Sequence, residues 1–346
     1  MMSFNNFNEG SPASLEDFLF AMQQYNLVYN SDFRYFSNTD NTATIAGYGI
    51  PDGWLYKDSG SGGSIGFSIL TGQCVIVKSQ DHSPMIFKQN LHEFPRWKTM
   101  LLGQCVTAKV CLNLSSDSKV SVTLSDGIDS DTVVKSGSDD FEIEVRLNVN
   151  LEAKSVSIAI ETTSEPVTIR ISKVFANIGR VAISNLPCIV QGVIGERKQY
   201  LATEHPPIGE FSLCKSSEEL GESYTRLDSV LQKRYGTGPN NRSLLPDMQG
   251  YFSRAWDSNA SIDPDAKKRL AWGKSAITGA HVSTLQEDEF LEHDHVLGFA
   301  PNKTLPITGQ TPQLIINKEL KSNTKMTGGN ETRPKNITEL YTIKWA

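Results

Sequence analysis

The chain has 346 residues, 38% of them hydrophobic and 21% charged, with a formal net charge of −6. That length is long for a single core and implies two or three domains, and the hydrophobic share marks folded material, not a disordered tail. The negative balance argues against a nucleic-acid-binding surface, which is usually basic, and no stretch approaches the ~18 apolar residues of a membrane helix.

Residues 1–10 are polar and rich in asparagine and read as an attachment segment, with 1–26 as one unit. They show neither a basic start nor an apolar run, so no secretory signal is expected. A short helix is predicted next. Ser11 or Ser14 can cap it, Pro12 suits its first turn, and Glu16 and Asp17 complement its dipole. Leu15, Phe18, Leu19, Met22 and Tyr25 form one apolar stripe, which either docks on its own domain or packs against copies of itself around a threefold axis.

From Leu27 to Phe175 the pattern is β. Runs rich in Val, Ile and Thr occur at Cys74–Val77, Val106–Leu112, Val120–Leu124, Phe141–Leu147, Ser155–Ile160 and Val167–Val174. In the last run Val167, Ile169, Ile171 and Lys173 share one face, and Thr168, Arg170 and Ser172 the other. Gly/Ser/Asp clusters separate the runs, among them residues 60–66, which lack the lysine and helix of a phosphate-binding loop and read as a flexible turn. Short strands with no helices between them indicate a β-sandwich, most simply a jelly roll, over 27–180.

A mixed connector covers 181–205, and a second composition starts at Pro206-Pro207. A helix is predicted near Ser223–Tyr235, with Tyr224, Leu227, Val230 and Leu231 on one face and Gly236 as its stop. Beyond Leu244 the chain is rich in Gly, Pro, Asn and Asp and has few apolar runs. Such a segment buries too little to repay its ordering entropy alone, and intertwined copies of the same chain would supply the missing neighbours. The five cysteines (Cys74, Cys105, Cys111, Cys188 and Cys214) form no metal-like cluster and read as thiols of a protein made in a reducing cytosol.

Three stretches carry a resemblance to a known family. Pro207-Ile208-Gly209 followed by Cys214, then Tyr224 and Leu227, then Arg234-Tyr235-Gly236-Thr237-Gly238, then Leu245-Pro246-Asp247-Met248-Gln249-Gly250-Tyr251-Phe252-Ser253-Arg254, resemble the opening, helix, turn and "LPDLRGxFxR" signature of the phage tail-collar family of short tail fibres and receptor-binding fibre tips. Gln249 stands where that signature has arginine, and Lys215-Ser216 where it has Asp-Gly. Gln286-Glu287-Asp288 to His293-Asp294-His295 resembles the "Q-x-D … H-x-H" run that follows the collar, and Glu331-Thr332-Arg333-Pro334-Lys335-Asn336-Ile337 the closing "ETRPxN" segment. Asn30-Ser31-Asp32-Phe33-Arg34 with Pro51-Asp52-Gly53-Trp54 resembles the opening of jelly rolls related to carbohydrate-binding modules.

The resemblance implies an α+β collar over 206–272 and an intertwined tip over 273–346. It implies a homotrimer made in a bacterial cytoplasm and carried on a virion tail or other extracellular particle. Such an assembly attaches to a tail or baseplate protein through its N-terminal segment and binds a bacterial surface polysaccharide or lipopolysaccharide. Neither nucleic acid nor membrane insertion is expected. His293 and His295 project the same way from an extended backbone, so three chains would offer six imidazoles to a metal ion (iron, zinc or nickel) on the axis. The alternative is a plain surface pair among Glu287, Asp288, Glu289, Glu292 and Asp294.

Tyr56 and Trp97 are candidates for stacking on a sugar, with Asp52, Asp58 and Arg96 nearby in sequence to hold hydroxyls. Trp54 is a further candidate, but its motif suits a core residue. Tyr341 and Trp345 either pack back on the threefold or form a contact patch. There is no G-x-S-x-G, H-E-x-x-H or P-loop motif, and the expectation is a binding protein and not an enzyme. A tailspike-like depolymerase, a host-encoded adhesive fibre and a structural baseplate part without a ligand are the alternatives.

Overall fold

The computed structural model describes residues 24–37, 50–60, 63–68, 70–78, 83–115, 117–162, 166–288 and 336–346. The helix expected before Tyr25 and the histidine pair His293 and His295 lie outside the described residues. Two units are distinguished: Met1–Leu285 together with Glu339–Ala346, and Gln286–Thr338.

Ten strands build two antiparallel five-stranded sheets. They are β1 (Leu55–Asp58), β2 (Ser64–Ser68), β3 (Gln73–Val77), β4 (Met85–Asn90), β5 (Cys105–Leu114), β6 (Ser118–Ser125), β7 (Ser130–Gly137), β8 (Asp140–Asn148), β9 (Ser157–Thr162) and β10 (Thr168–Ile178). One sheet has the order β1-β4-β9-β6-β7 and the other β2-β3-β10-β5-β8. The six strands expected from the sequence form, and the expected jelly-roll-like sandwich is the observed fold. Alternation explains its core: one row reads Tyr56, Phe87, Ile160, Val122, Val133 across the first sheet, and another Ile65, Ile76, Ile169, Leu114 across the second. Fully burying one such aliphatic or phenyl side chain contributes about 1.5–3 kcal/mol.

Four strands escaped the sequence. β7 is an edge strand with two valines. β4 hides its period because the core position Gln89 is polar; its amide accepts from Tyr29 N–H (2.8 Å) and donates to Tyr29 O (2.8 Å), which satisfies it. Within the Gly/Ser stretch at 60–66, expected to be a turn, Ser64 already opens β2. In β10 the expected alternation fails at one point. A β-bulge between Ile171 and Lys173 leaves Ser172 unpaired, which turns Lys173 outward and Val174 into the core.

The expected helix is short. Helix α2 (Thr225–Leu231) follows a small α1 (Trp97–Leu101), and Gln232 and Lys233 take left-handed backbone before Gly236 is reached. No side chain of its own caps α2. The cap comes from the sandwich: the Glu93 carboxylate accepts from Thr225 N–H (3.0 Å), Arg226 N–H (2.8 Å) and the Thr225 hydroxyl. Fully buried Arg226 reaches back and donates to the carbonyls of Leu27 (3.0 Å), Asn90 (2.7 Å) and Glu93 (3.3 Å). Gly53 N–H donates to Ser229 Oγ (2.8 Å). The glycine is required there, since its φ is +84° and an added Cβ would stand 2.6 Å from the Tyr29 ring.

The region read as a connector contributes β11 (Arg197–Tyr200), and β12 (Glu210–Ser212) follows. The last strand, β15 (Leu340–Lys344), lies between them, after the short pair β13 (Leu270–Ala271) and β14 (Thr284–Leu285). The residues after Thr338, placed in the fibre tip by the sequence, thus join the first unit. Trp345 packs near Phe211 and edge-on to Tyr224, the second with ring centroids 5.0 Å apart.

Candidate functional site

Trp54 is a core residue and not a ligand-facing ring. It is fully buried, stacked on Phe87 at 4.4 Å and close to Phe33, and a ring so enclosed has no face for a ligand. The turn Pro51–Gly53 feeds it straight into the core.

Tyr56 sits on edge strand β1 in the core-facing row, so its ring is half-buried and its hydroxyl end reaches Asp58 Oδ2 at 3.5 Å. Burial, then the Asp58 charge, pushes its pKa up to about 12, which keeps the phenol protonated and a donor. Gly60 and Gly63, on either side of the β1–β2 connection, come close to this pair. Asp58 Oδ1 accepts from Gly60 N–H (3.0 Å), and a Cβ on Gly63 would fall 2.2 Å from Asp58 Oδ2. On the facing edge strand β2, Phe67 leans on Phe36 with centroids 5.2 Å apart and is 40% exposed. A phenol and a carboxylate lie on edge strand β1, and an accessible ring on edge strand β2 of the other sheet. The Tyr56 hydroxyl and the Asp58 carboxylate can hold hydroxyls of a ligand, and the Phe67 ring can cover an apolar face. Phe67 was missed in the sequence because it stands in a Ser/Gly-rich run, although Ser64, Ile65, Gly66, Phe67 and Ser68 do alternate.

Trp97 opens α1 and is half-buried, edge-on to the His92 ring at 5.0 Å with Lys98 Nζ 5.8 Å from its centroid. Arg96 is exposed and left-handed (φ 61°). Among the described residues no ring contact joins Trp97 to Tyr56. Neither broad face of the sandwich presents an exposed ring among the described residues. The outward position Phe175 is buried under Lys173.

His92 itself is structural. Its Nδ1 lies 3.0 Å from both Val156 N–H, from which the neutral ring accepts, and Val156 O, to which a protonated ring would donate; burial lowers its pKa, with Arg226 and Lys88 adding to the effect and the Val156 carbonyl and Glu93 opposing it. The unfolded chain takes up a proton near pH ~6.5 that the folded chain refuses. The stabilisation is therefore complete above that pH and is lost as pH falls below it. Between pH 7.5 and 5.5 the wild type is expected to lose more melting temperature than His92→Asn, whose amide oxygen can accept from Val156 without titrating. Equal losses in the two thermal scans would contradict this.

Cys74 is the one fully buried cysteine, and burial pushes its thiol pKa up; Cys105, Cys111, Cys188 and Cys214 are half-buried, and all five are free thiols. Among the described residues no group of three or more His, Cys, Asp or Glu side chains is placed to hold a metal, and no helix is long and apolar enough to cross a membrane.

No family model matches the chain. Protein RhiB of Rhizobium leguminosarum bv. viciae is 26% identical over 167 residues, 47% of this chain and 76% of that protein. The short tail fiber protein gp12 of Enterobacteria phage T4 is 26% identical over 176 residues, 41% of this chain and 33% of the fibre, so the match spans about a third of that relative's length. Among solved structures, TmCBM61 in complex with beta-1,4-galactotriose matches with a TM-score of 0.31 at 10% identity, covering 44% of this chain and 97% of that one. A CBM4 structure gives 0.32 at 16%, covering 44% and 99%. The enzymatically active domain of tailspike protein 4 of bacteriophage CBA120 gives 0.31 at 12%, covering 44% and 21%. The sandwich is established by its own strand pairing and not by these likenesses.

Proposed function

We propose that the chain is a carbohydrate-binding adhesin of the tail-fibre type, a homotrimer that attaches a particle to a bacterial surface polysaccharide or lipopolysaccharide and does not cleave it. The observation that carries this reading is the 26% identity to the phage T4 short tail fibre, in a chain whose N-terminal half is a ten-stranded sandwich with ring and carboxylate groups at its edge. Asp58 and the Tyr56 hydroxyl would hold sugar hydroxyls while Phe67 or Trp97 covers an apolar ring face. One site of this kind is shallow and weak, and three copies in one assembly raise the effective concentration of the others. The N-terminal segment would hold the tail or baseplate. His293 and His295 of three chains would bring six imidazoles to the axis, a donor set suited to iron, nickel or zinc.

The test is a glycan array of bacterial surface polysaccharides probed with the full chain. Binding without release of reducing ends is expected. Tyr56→Phe and Asp58→Asn, which preserve packing, are each expected to weaken it roughly tenfold, the loss of one hydrogen bond to a charged or polar partner. Release of reducing sugar would favour a depolymerase, and no binding to any bacterial glycan would leave a structural part.

A further inference from the structure

We infer that the surface around Trp97 takes a sugar carrying a negative charge, a uronate or a phosphorylated sugar; this rests on the glycan-binding reading above and names the ligand class of one of its rings. Trp97 is half-buried and packs edge-on to His92 at 5.0 Å, so the sandwich sets its position while part of the ring stays accessible. Arg96 and Lys98, one residue to either side, are both exposed, and Lys98 Nζ lies 5.8 Å from the Trp97 ring centroid. Lys88, on β4, is a third cation, close enough to act on His92.

Three observations set the charge of the ligand. First, these cations are unbalanced. Among the described residues no hydrogen bond or ion pair reaches the side-chain nitrogens of Lys88, Arg96 or Lys98, whereas Lys109, Arg146, Lys198, Arg242 and Arg269 each meet a carboxylate. Second, the one acidic residue between Leu91 and Gln104 is committed elsewhere. It is Glu93, which is buried, and its carboxylate accepts from Thr225, Arg226 and Asn90 Nδ2 (3.0 Å). The adjoining loop, whose Val149 and Val156 carbonyls accept from Gly103 and Leu91 N–H, carries one charge of each sign, Glu152 and Lys154. In a chain of net charge −6 the neighbourhood of Trp97 is therefore positive. Third, Arg96 holds left-handed backbone (φ 61°, ψ 22°), which is unfavourable for so bulky a residue. No contact of its guanidinium within the described chain accounts for an arginine there, and a ligand anion would. An aromatic face covers the apolar C–H side of a pyranose, while a planar guanidinium and an ammonium beside it match a carboxylate or a phosphate. The Tyr56–Asp58 pair, which presents a carboxylate of its own, suits a neutral sugar instead.

The experiment measures binding of the full chain to two matched pairs: a uronic-acid polysaccharide with its carboxyl-reduced form, and a phosphorylated lipopolysaccharide core with its dephosphorylated form. The charged member of at least one pair is expected to bind roughly tenfold more tightly than its neutral partner, the effect of one charge-assisted contact, and the pair that shows the gap tells carboxylate from phosphate. Arg96→Gln and Lys98→Gln are each expected to narrow that gap. Should either variant misfold, the unchanged chain still decides: about 1 M salt, which screens charges beyond ~3 Å, should erase the preference. Neutral glycans bound as tightly as charged ones, or a gap that survives both substitutions and salt, overturn the inference and leave the adhesin reading in place. Equal binding to a single-stranded oligonucleotide overturns it too, since charge alone would then be the attraction. A wild-type chain that binds no bacterial glycan of either kind removes both readings.

Discussion

Glu93→Ala is expected to lower unfolding free energy by about 3–5 kcal/mol, the cost of stripping one partner from a buried charged network. The carboxylate is buried at the joint between sandwich and α2, where it accepts two main-chain N–H groups and a hydroxyl. Without it those donors lose their acceptor and Arg226 keeps its charge with carbonyls alone, its Nε already lacking a partner. The joint would open while the sandwich core stayed intact. Urea unfolding followed by tryptophan fluorescence should therefore lower the midpoint and split one transition into two. Glu93→Gln, which keeps an acceptor, should recover part of the loss. A single transition with an unchanged midpoint would show that α2 is held by packing and not by this cap.

Trp54→Ala is expected to cost about 3–5 kcal/mol, as large aromatic truncations in a packed core do. Its ring fills the space between Phe33 and Phe87. The substitution vacates a volume that the strands on both sides cannot close. Trp97→Ala, by contrast, removes a half-buried ring from the surface of His92 and should cost far less stability. The pair separates two tryptophans that looked alike in the sequence: one variant should fail in unfolding assays and the other, if the ring contacts sugar, in glycan binding. Equal stability losses would place Trp97 in the core as well.

How much could be read in advance follows from what each residue pattern encodes. The sandwich was legible because alternation of Val and Ile with polar residues reports a half-buried strand wherever it is unbroken, as in Val120–Leu124 and Phe141–Leu147. It failed where a long-range contact satisfies a buried polar group, as Tyr29 does for Gln89, or where a bulge shifts the period, as at Ser172. The helix at Thr225 was visible from its apolar face. Its cap was not, since Glu93 lies more than a hundred residues upstream. Tyr56 and Trp97 were visible as rings, but only strand pairing shows that Tyr56 belongs to the core row and keeps just its hydroxyl end beside Asp58. The return of Leu340–Lys344 between β11 and β12 has no local signature at all, because the pairing partners lie some 130 residues or more earlier.

Sedimentation equilibrium of the full chain at high dilution measures self-association directly. A species of three times 38.2 kDa that persists to nanomolar concentration is the predicted result. A compact 38.2 kDa monomer with one cooperative unfolding transition spanning Leu244–Leu285 as well as the sandwich would contradict it.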